Sequence, residues 1–84
     1  MRYSLVFEMV ATEIIATLPE VPHELFTLAC FDIVDAPYGQ GGVPKQTSDG
    51  VIRRAWAVGD IGLIEYQIDE KARVVTIISV TYVQ

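Results

Sequence analysis

Only six of the 84 residues are basic, one is histidine and one is cysteine. Each scarcity narrows what the chain can be. A single thiol, Cys30, has no partner for an internal disulfide, and its place between Ala29 and Phe31 marks it as a small buried hydrophobe. Six Lys and Arg against eleven Asp and Glu leave a net charge of −5, so the molecule as a whole does not attract phosphate backbones. No apolar run reaches the ~18 residues of a membrane-spanning helix, so no membrane association is expected. The opening Met1-Arg2-Tyr3-Ser4-Leu5-Val6-Phe7-Glu8 meets an acid too early for the apolar stretch of a secretory signal, which leaves a cytoplasmic location as the expectation.

What is present is apolar: 51% hydrophobic against 20% charged residues, too rich in core-formers for a disordered chain. At this length residues 1–84 make one domain. Its charges are unevenly spread. Residues 1–36 set Glu8, Glu13, Glu20, Glu24, Asp32 and Asp35 against Arg2 alone, whereas Lys45, Arg53, Arg54, Lys71 and Arg73 all fall later. Any nucleic-acid surface therefore lies in the second half.

Tyr3 to Glu8 alternates with period two and reads as a strand. From Met9 the period lengthens, and Val10, Ile14 and Leu18 with Ala11 and Ile15 form the stripe of an amphipathic helix that Pro19 ends. Pro22 at a first-turn position and Glu24 behind it begin a second helix running to about Ala36. One stripe of that helix is Leu25, Leu28, Ala29 and Ile33, but Phe26, Cys30, Phe31 and Val34 nearly close the circle, so it needs cover on more than one side. A sheet, the first helix, a partner protein or a second copy of the chain would supply it.

Residues 37–50 hold four glycines and two prolines without any period, a flexible loop. Gly39-Gln40-Gly41-Gly42 is followed by Val43-Pro44 instead of a helix, so it lacks the N-terminal dipole of a phosphate cradle. Three β-rich runs come next, Val51 to Val58, Ile61 to Ile68 and Val74 to Val83, separated by the turn-like Gly59-Asp60 and Asp69-Glu70-Lys71-Ala72. The expected fold is α+β, ordered β-α-α-β-β-β, with a helical hairpin on one face of a mainly antiparallel four-stranded sheet.

That order, together with Leu5-Val6-Phe7 leading into residues 11–19, Asp35-Ala36-Pro37-Tyr38-Gly39, Ile52-Arg53-Arg54-Ala55 and the run from Gly62 to Asp69, resembles the RelE/ParE toxin superfamily, and small RelE-like proteins of actinobacteria in particular. The resemblance spans nearly the whole chain, although each motif alone is weakly specific. It implies the toxin of a type II toxin-antitoxin system, held inactive by a cognate antitoxin. Such a toxin acts either as a ribosome-dependent mRNA endonuclease or, in the ParE branch, on DNA gyrase. The nuclease branch uses no metal or cofactor. The ribose 2′-hydroxyl attacks the adjacent phosphate, which calls for a proton acceptor, cations on the phosphate and a donor to the leaving oxygen.

On this resemblance the catalytic candidates are Arg53, Arg54, Glu65 and Tyr82, and the RNA-binding candidates Lys45, Arg53 and Arg73. Arg53 and Arg54 are adjacent on a strand and must face opposite sides, so only one can reach an open sheet face. If Ile52, Trp56 and Val58 pack under the helices, that one is Arg53, and Glu65 on the next strand would join it as a cross-strand pair. A surface ion pair is the blander reading of the two. His23 reads as a surface residue and Arg73 with Lys71 as solvated hairpin charge.

The departures from the family pattern are also specific. Ile61-Gly62-Leu63 stands where such nucleases carry an arginine, and the chain stops at Thr81-Tyr82-Val83-Gln84, leaving Tyr82 as the remnant of a longer basic end. Two further readings therefore stay open: a non-catalytic protein-binding module on the same fold, and a homodimer joined through the apolar second helix.

Overall fold

The structure is a computed structural model that describes residues 3–39, 45–46 and 50–83. Strand β1 (Ser4–Phe7) turns Leu5 toward the core and leaves Ser4 and Val6 exposed. Helix α1 (Met9–Ala16) starts where the carbonyl of Glu8 accepts the Thr12 amide at 3.0 Å. Ala11 is fully buried and Ile14, Ile15 and Leu18 pack against the core, but Val10 is 58% exposed. The stripe is thus the expected one except at Val10, which marks its edge.

Pro19 both ends α1 and caps α2 (Glu20–Asp35), accepting the His23 amide at 2.8 Å. Pro22 lies in the first turn, where its missing donor costs nothing, and Glu20 favours the positive end of the helix dipole. The buried face is Phe26, Ala29, Cys30, Ile33 and Val34. Ala29 and Ile33 belong to the expected stripe, whereas Leu25 and Leu28 are 43% and 54% exposed and Phe31 lies outside as well. When apolar residues nearly encircle a helix, periodicity does not choose the core face. Here the fit against the sheet chooses it, because the Phe26 ring is fully buried over Gly62 while the equally large Phe31 stays half exposed.

Beyond α2 lie three long strands: β3 (Ile52–Val58), β4 (Gly62–Asp69) and β5 (Val74–Tyr82). They form an antiparallel meander, and β1 joins the far side of β5 in parallel, with Ser4 opposite Val74 and Phe7 opposite Ile77. Both helices pack on one face of this sheet, as expected. The 37–50 stretch is not loop throughout: Lys45 and Gln46 form a two-residue edge strand, β2, paired with β3, and the sheet order is β1-β5-β4-β3-β2. Residues 40–44 and 47–49 of that stretch lie outside the described residues.

Ile64, Tyr66 and Ile68 of β4 are fully buried beneath the helices, together with Val75 and Ile77 of β5. Strict alternation along β5 would then put Val80 on the opposite face. A β-bulge prevents this. Glu65 pairs with Ser79 but Tyr66 pairs with Ile77, so Ile78 is an extra residue and the phase of β5 shifts by one. Val80, 4% exposed, and Tyr82 thereby return to the helix side.

Phe26 closes the end of the core. Its ring meets Tyr82 edge to face at 6.4 Å and lies directly over Gly62. A Cβ at position 62 would collide with the Phe26 ring and with the Thr81 carbonyl oxygen, so the absence of a side chain there is a packing requirement. Gly62→Ala should lower stability by about 2 kcal/mol, the usual cost of overpacking a core. Urea unfolding is the check: the midpoint should fall with the slope unchanged, and a variant as stable as the parent would disprove the close approach.

Candidate functional site

The sheet face without helices gathers polar side chains from β3, β4 and β5. Because strand residues alternate, burying Ile52, Trp56 and Val58 of β3 toward the helices sends Arg53, Ala55 and Ala57 outward. On β4 the same rule exposes Leu63 and Glu65, with Gln67 half-buried beside them. Pairing aligns these into rows. Arg53 stands opposite Gln67, and Gln67 opposite Thr76, with Lys45 the backbone partner of Arg53 at the other end. In the next row Ala55 stands opposite Glu65, and Glu65 opposite Ser79.

Arg53 donates through Nη2 to Gln67 Oε1 at 3.5 Å, and the Ser79 hydroxyl donates to Glu65 Oε1 at 3.0 Å. The register offsets Arg53 and Glu65 by one row, so the two are diagonal cross-strand neighbours. At diagonal spacing, roughly 7–8 Å, a guanidinium and a carboxylate can flank one phosphodiester without cancelling each other. This is the one place where the candidates Lys45, Arg53 and Glu65 come together.

The other candidates lie elsewhere. Arg54 is on the helix side of β3, its guanidinium 5.4 Å from the centre of the Tyr38 ring. Tyr82, returned by the bulge, packs against Phe26 on that same side. Arg73 sits in the β4–β5 hairpin at the other end of β5 from Tyr82. No single site holds all six, because a sheet separates Arg54 and Tyr82 from Arg53 and Glu65.

Sequence reasoning misses a second cluster. The Glu70 carboxylate accepts from the Tyr3 hydroxyl at 2.5 Å and from the Tyr38 hydroxyl at 3.0 Å. Arg73 lies over the Tyr3 ring at 4.2 Å and approaches Glu70 at 3.6 Å, so it is engaged with both and not simply solvated. The Tyr3 bond chiefly, with that from Tyr38 and the Arg73 charge, holds the Glu70 carboxyl below its ordinary range. The hydrogen bond to Glu70 raises Tyr3, while desolvation and then Glu70 push Tyr38 up to about 12. Nearby, the buried Tyr66 hydroxyl donates to the Pro37 carbonyl at 2.5 Å, and desolvation raises it too. No motif announces this cluster, since its members are up to 70 residues apart. The one local signal is two tyrosines near strand and helix ends with an acid in a hairpin.

Between β1, α1 and α2 runs an apolar groove of about 380 Å³, lined by Leu5, Phe7, Ile15, Cys30 and Phe31, with His23 on its rim. Burial pushes the Cys30 thiol up to about 11, so it is a neutral wall of the groove and no nucleophile. Among the described residues no three His, Cys, Asp or Glu side chains converge to hold a metal ion, and no helix is long and apolar enough to cross a membrane.

No family model matches the chain, and no curated protein matches it in sequence. Solved structures do match. The archaeal RelE–RelB complex from Pyrococcus horikoshii contains a chain that superposes with a TM-score of 0.81 at 14% identity, covering 98% of this chain and 96% of that one. The RelBE2 toxin-antitoxin complex from Mycobacterium tuberculosis gives 0.76 at 20% identity over 98% and 99% of the two chains. The isolated E. coli RelE toxin gives 0.74 at 18% identity over 98% and 85%. The chain has the fold of RelE toxins, the superfamily its sequence resembles.

The split between the two arginines is directly measurable. Arg54→Ala should destabilise the domain by about 1–2 kcal/mol through lost stacking and lost contact with the Tyr66 hydroxyl, whereas Arg53→Ala should change stability by less than about 0.5 kcal/mol. Equal losses in thermal unfolding would contradict the two-sided placement.

Proposed function

We propose that this chain is the toxin of a toxin-antitoxin pair and that its helix-free sheet face is the surface that meets the toxin's target. The full-length likeness to RelE chains supports the first part, and two of those solved structures, from Pyrococcus horikoshii and Mycobacterium tuberculosis, are toxin-antitoxin complexes. The convergence of Arg53, Glu65, Gln67 and Ser79 on one open face, next to the Lys45 register position, supports the second. That convergence is the observation on which the proposal rests.

As an mRNA endonuclease the face would divide the chemistry among its rows. Glu65 accepts the proton of a ribose 2′-hydroxyl as that oxygen bonds to the neighbouring phosphorus, the bond from phosphorus to the 5′-oxygen breaks to leave a 2′,3′-cyclic phosphate, and the departing 5′-oxygen takes its proton from water. Arg53, one row away, faces the charge that develops on the phosphate oxygens, and Lys45 adds attraction for the RNA backbone. The Ser79 hydroxyl, by donating to Glu65, keeps the carboxylate oriented. The ribosome would hold the message in place, since a chain of charge −5 gains little RNA affinity by itself. No metal or cofactor takes part.

A second reading, target binding without cleavage, draws on a different observation. Tyr82 lies against Phe26 and Arg54 against Tyr38, so neither reaches the open face to protonate a leaving 5′-oxygen. In either case the antitoxin has apolar surface to cover, in the groove and along Val21, Leu25, Leu28 and Phe31 of α2, and a second copy of the chain would compete for the latter.

Induction in a bacterial host without its antitoxin, with growth and mRNA 5′ ends both monitored, separates these readings. Arrest with new 5′ ends is expected, and Glu65→Gln and Arg53→Ala should each reduce those ends about a hundredfold, the usual weight of a proton-transfer or charge-stabilising group. Arrest without new ends selects the non-catalytic reading. Healthy growth at high expression refutes both.

A further inference from the structure

The Glu70 carboxylate ties the exit of α2, which no strand pairing holds, to the end of the sheet where β1 pairs with β5. Its Oε1 takes the hydroxyl proton of Tyr3, at the entrance to β1, and its Oε2 that of Tyr38, three residues past the end of α2. Both bonds start from aromatic side chains whose rings are held from behind. Arg73 covers the Tyr3 ring at 4.2 Å and donates to its hydroxyl at 3.3 Å, and Arg54 lies 5.4 Å from the centre of the Tyr38 ring. Arg73 reaches that position with a φ of 58°, a left-handed conformation that non-glycine residues seldom adopt. The hairpin keeps an arginine where glycine would be easier, and the contact with Tyr3 and Glu70 is what it gains. The Asp69 carboxylate fixes the turn by accepting the Ala72 amide at 3.1 Å.

We propose that Glu70 is a proton-operated clasp that holds the exit of α2 against the β4–β5 hairpin. Pro37 is anchored independently by the Tyr66 hydroxyl, so release begins at Tyr38. The clasp does not rest on the reading of the open face.

The ionised carboxylate offers acceptors to both tyrosines at once. Protonation removes the charge and turns one oxygen into a donor and a poor acceptor, so the hydrogen bond which that oxygen accepted is weakened. The groups that meet Glu70 are Tyr3 at the entrance to β1, Tyr38 after α2 and Arg73 of its own hairpin, with Arg54 of β3 against the Tyr38 ring. Tyr3 and Tyr38 are both raised and remain donors at neutral and acid pH, which leaves Glu70 as the group that titrates. Its carboxyl is depressed in the folded chain. The clasp therefore contributes fully above the ordinary carboxylate range and is lost as pH falls through the folded value.

Amide hydrogen exchange and carboxyl NMR on the full chain, with no RNA or partner present, test this. Glu70→Ala and Tyr38→Phe should each speed exchange at Gly39, whose amide donates to the Ala36 carbonyl at the α2 exit, about fivefold, as loss of one charged hydrogen bond on an exposed site allows, and leave Ile64 and Ile77 unchanged. In the parent, the Tyr38 ring resonances should shift with the midpoint of the Glu70 carboxyl, and Tyr3→Phe should raise that midpoint. Unchanged exchange at Gly39, an equal rise throughout the core, or Tyr38 resonances that stay flat while Glu70 titrates would each overturn the clasp. Because neither measurement involves a target, its failure would leave the reading of the open face standing, and the reverse holds too.

Discussion

Burial of every second residue of β4 is the constraint on which the rest of the molecule depends. Ile64, Tyr66 and Ile68 are all fully inaccessible beneath the helices, and a strand that commits three residues to one side commits its other residues to the opposite one. Glu65 and Gln67 are outward for that reason alone. Through the pairing with β3, the same commitment sends Arg53 outward and Arg54 inward, and through β5 it sets Thr76 and Ser79 beside them. A one-residue slip of β4 would exchange these faces, so the core and the open face are specified together.

The two sides then do different chemistry with similar residues. On the open side an arginine and a carboxylate are offset by a row and lie in water, where each interaction is weak but a ligand can reach both. On the helix side and at its edge, Arg54 and Arg73 are engaged by tyrosine rings, and Glu70 by two tyrosine hydroxyls. The helices themselves carry Glu13, Glu20, Glu24, Asp32 and Asp35 without any Lys or Arg. Their outer surface therefore suits a basic partner better than a second acidic copy.

Much of this architecture is legible in the sequence. The strand at Ser4–Phe7, both helices, the β3–β4–β5 meander and the outward placement of Arg53 and Glu65 can be read from periodicity and parity. Other features are hidden for physical reasons. The α2 core face is obscured because apolar residues surround that helix. The side taken by Tyr82 escapes a parity reading because the bulge at Ile78 leaves no mark in a run that is apolar on both sides. The offset between Arg53 and Glu65 depends on the register of two strands, which turn length sets only to within a residue or two.

Local chemistry alone determined which segments are helix and which are strand, because proline positions and the change from period two to period 3.6 act within a few residues. It also determined that Arg53 and Arg54 oppose each other. Tertiary structure decided which of them is turned under the helices, where the bulge resets β5, and that Glu70 meets Tyr3 and Tyr38. Those outcomes depend on contacts between residues tens of positions apart, and only the closed chain brings such residues within hydrogen-bond reach.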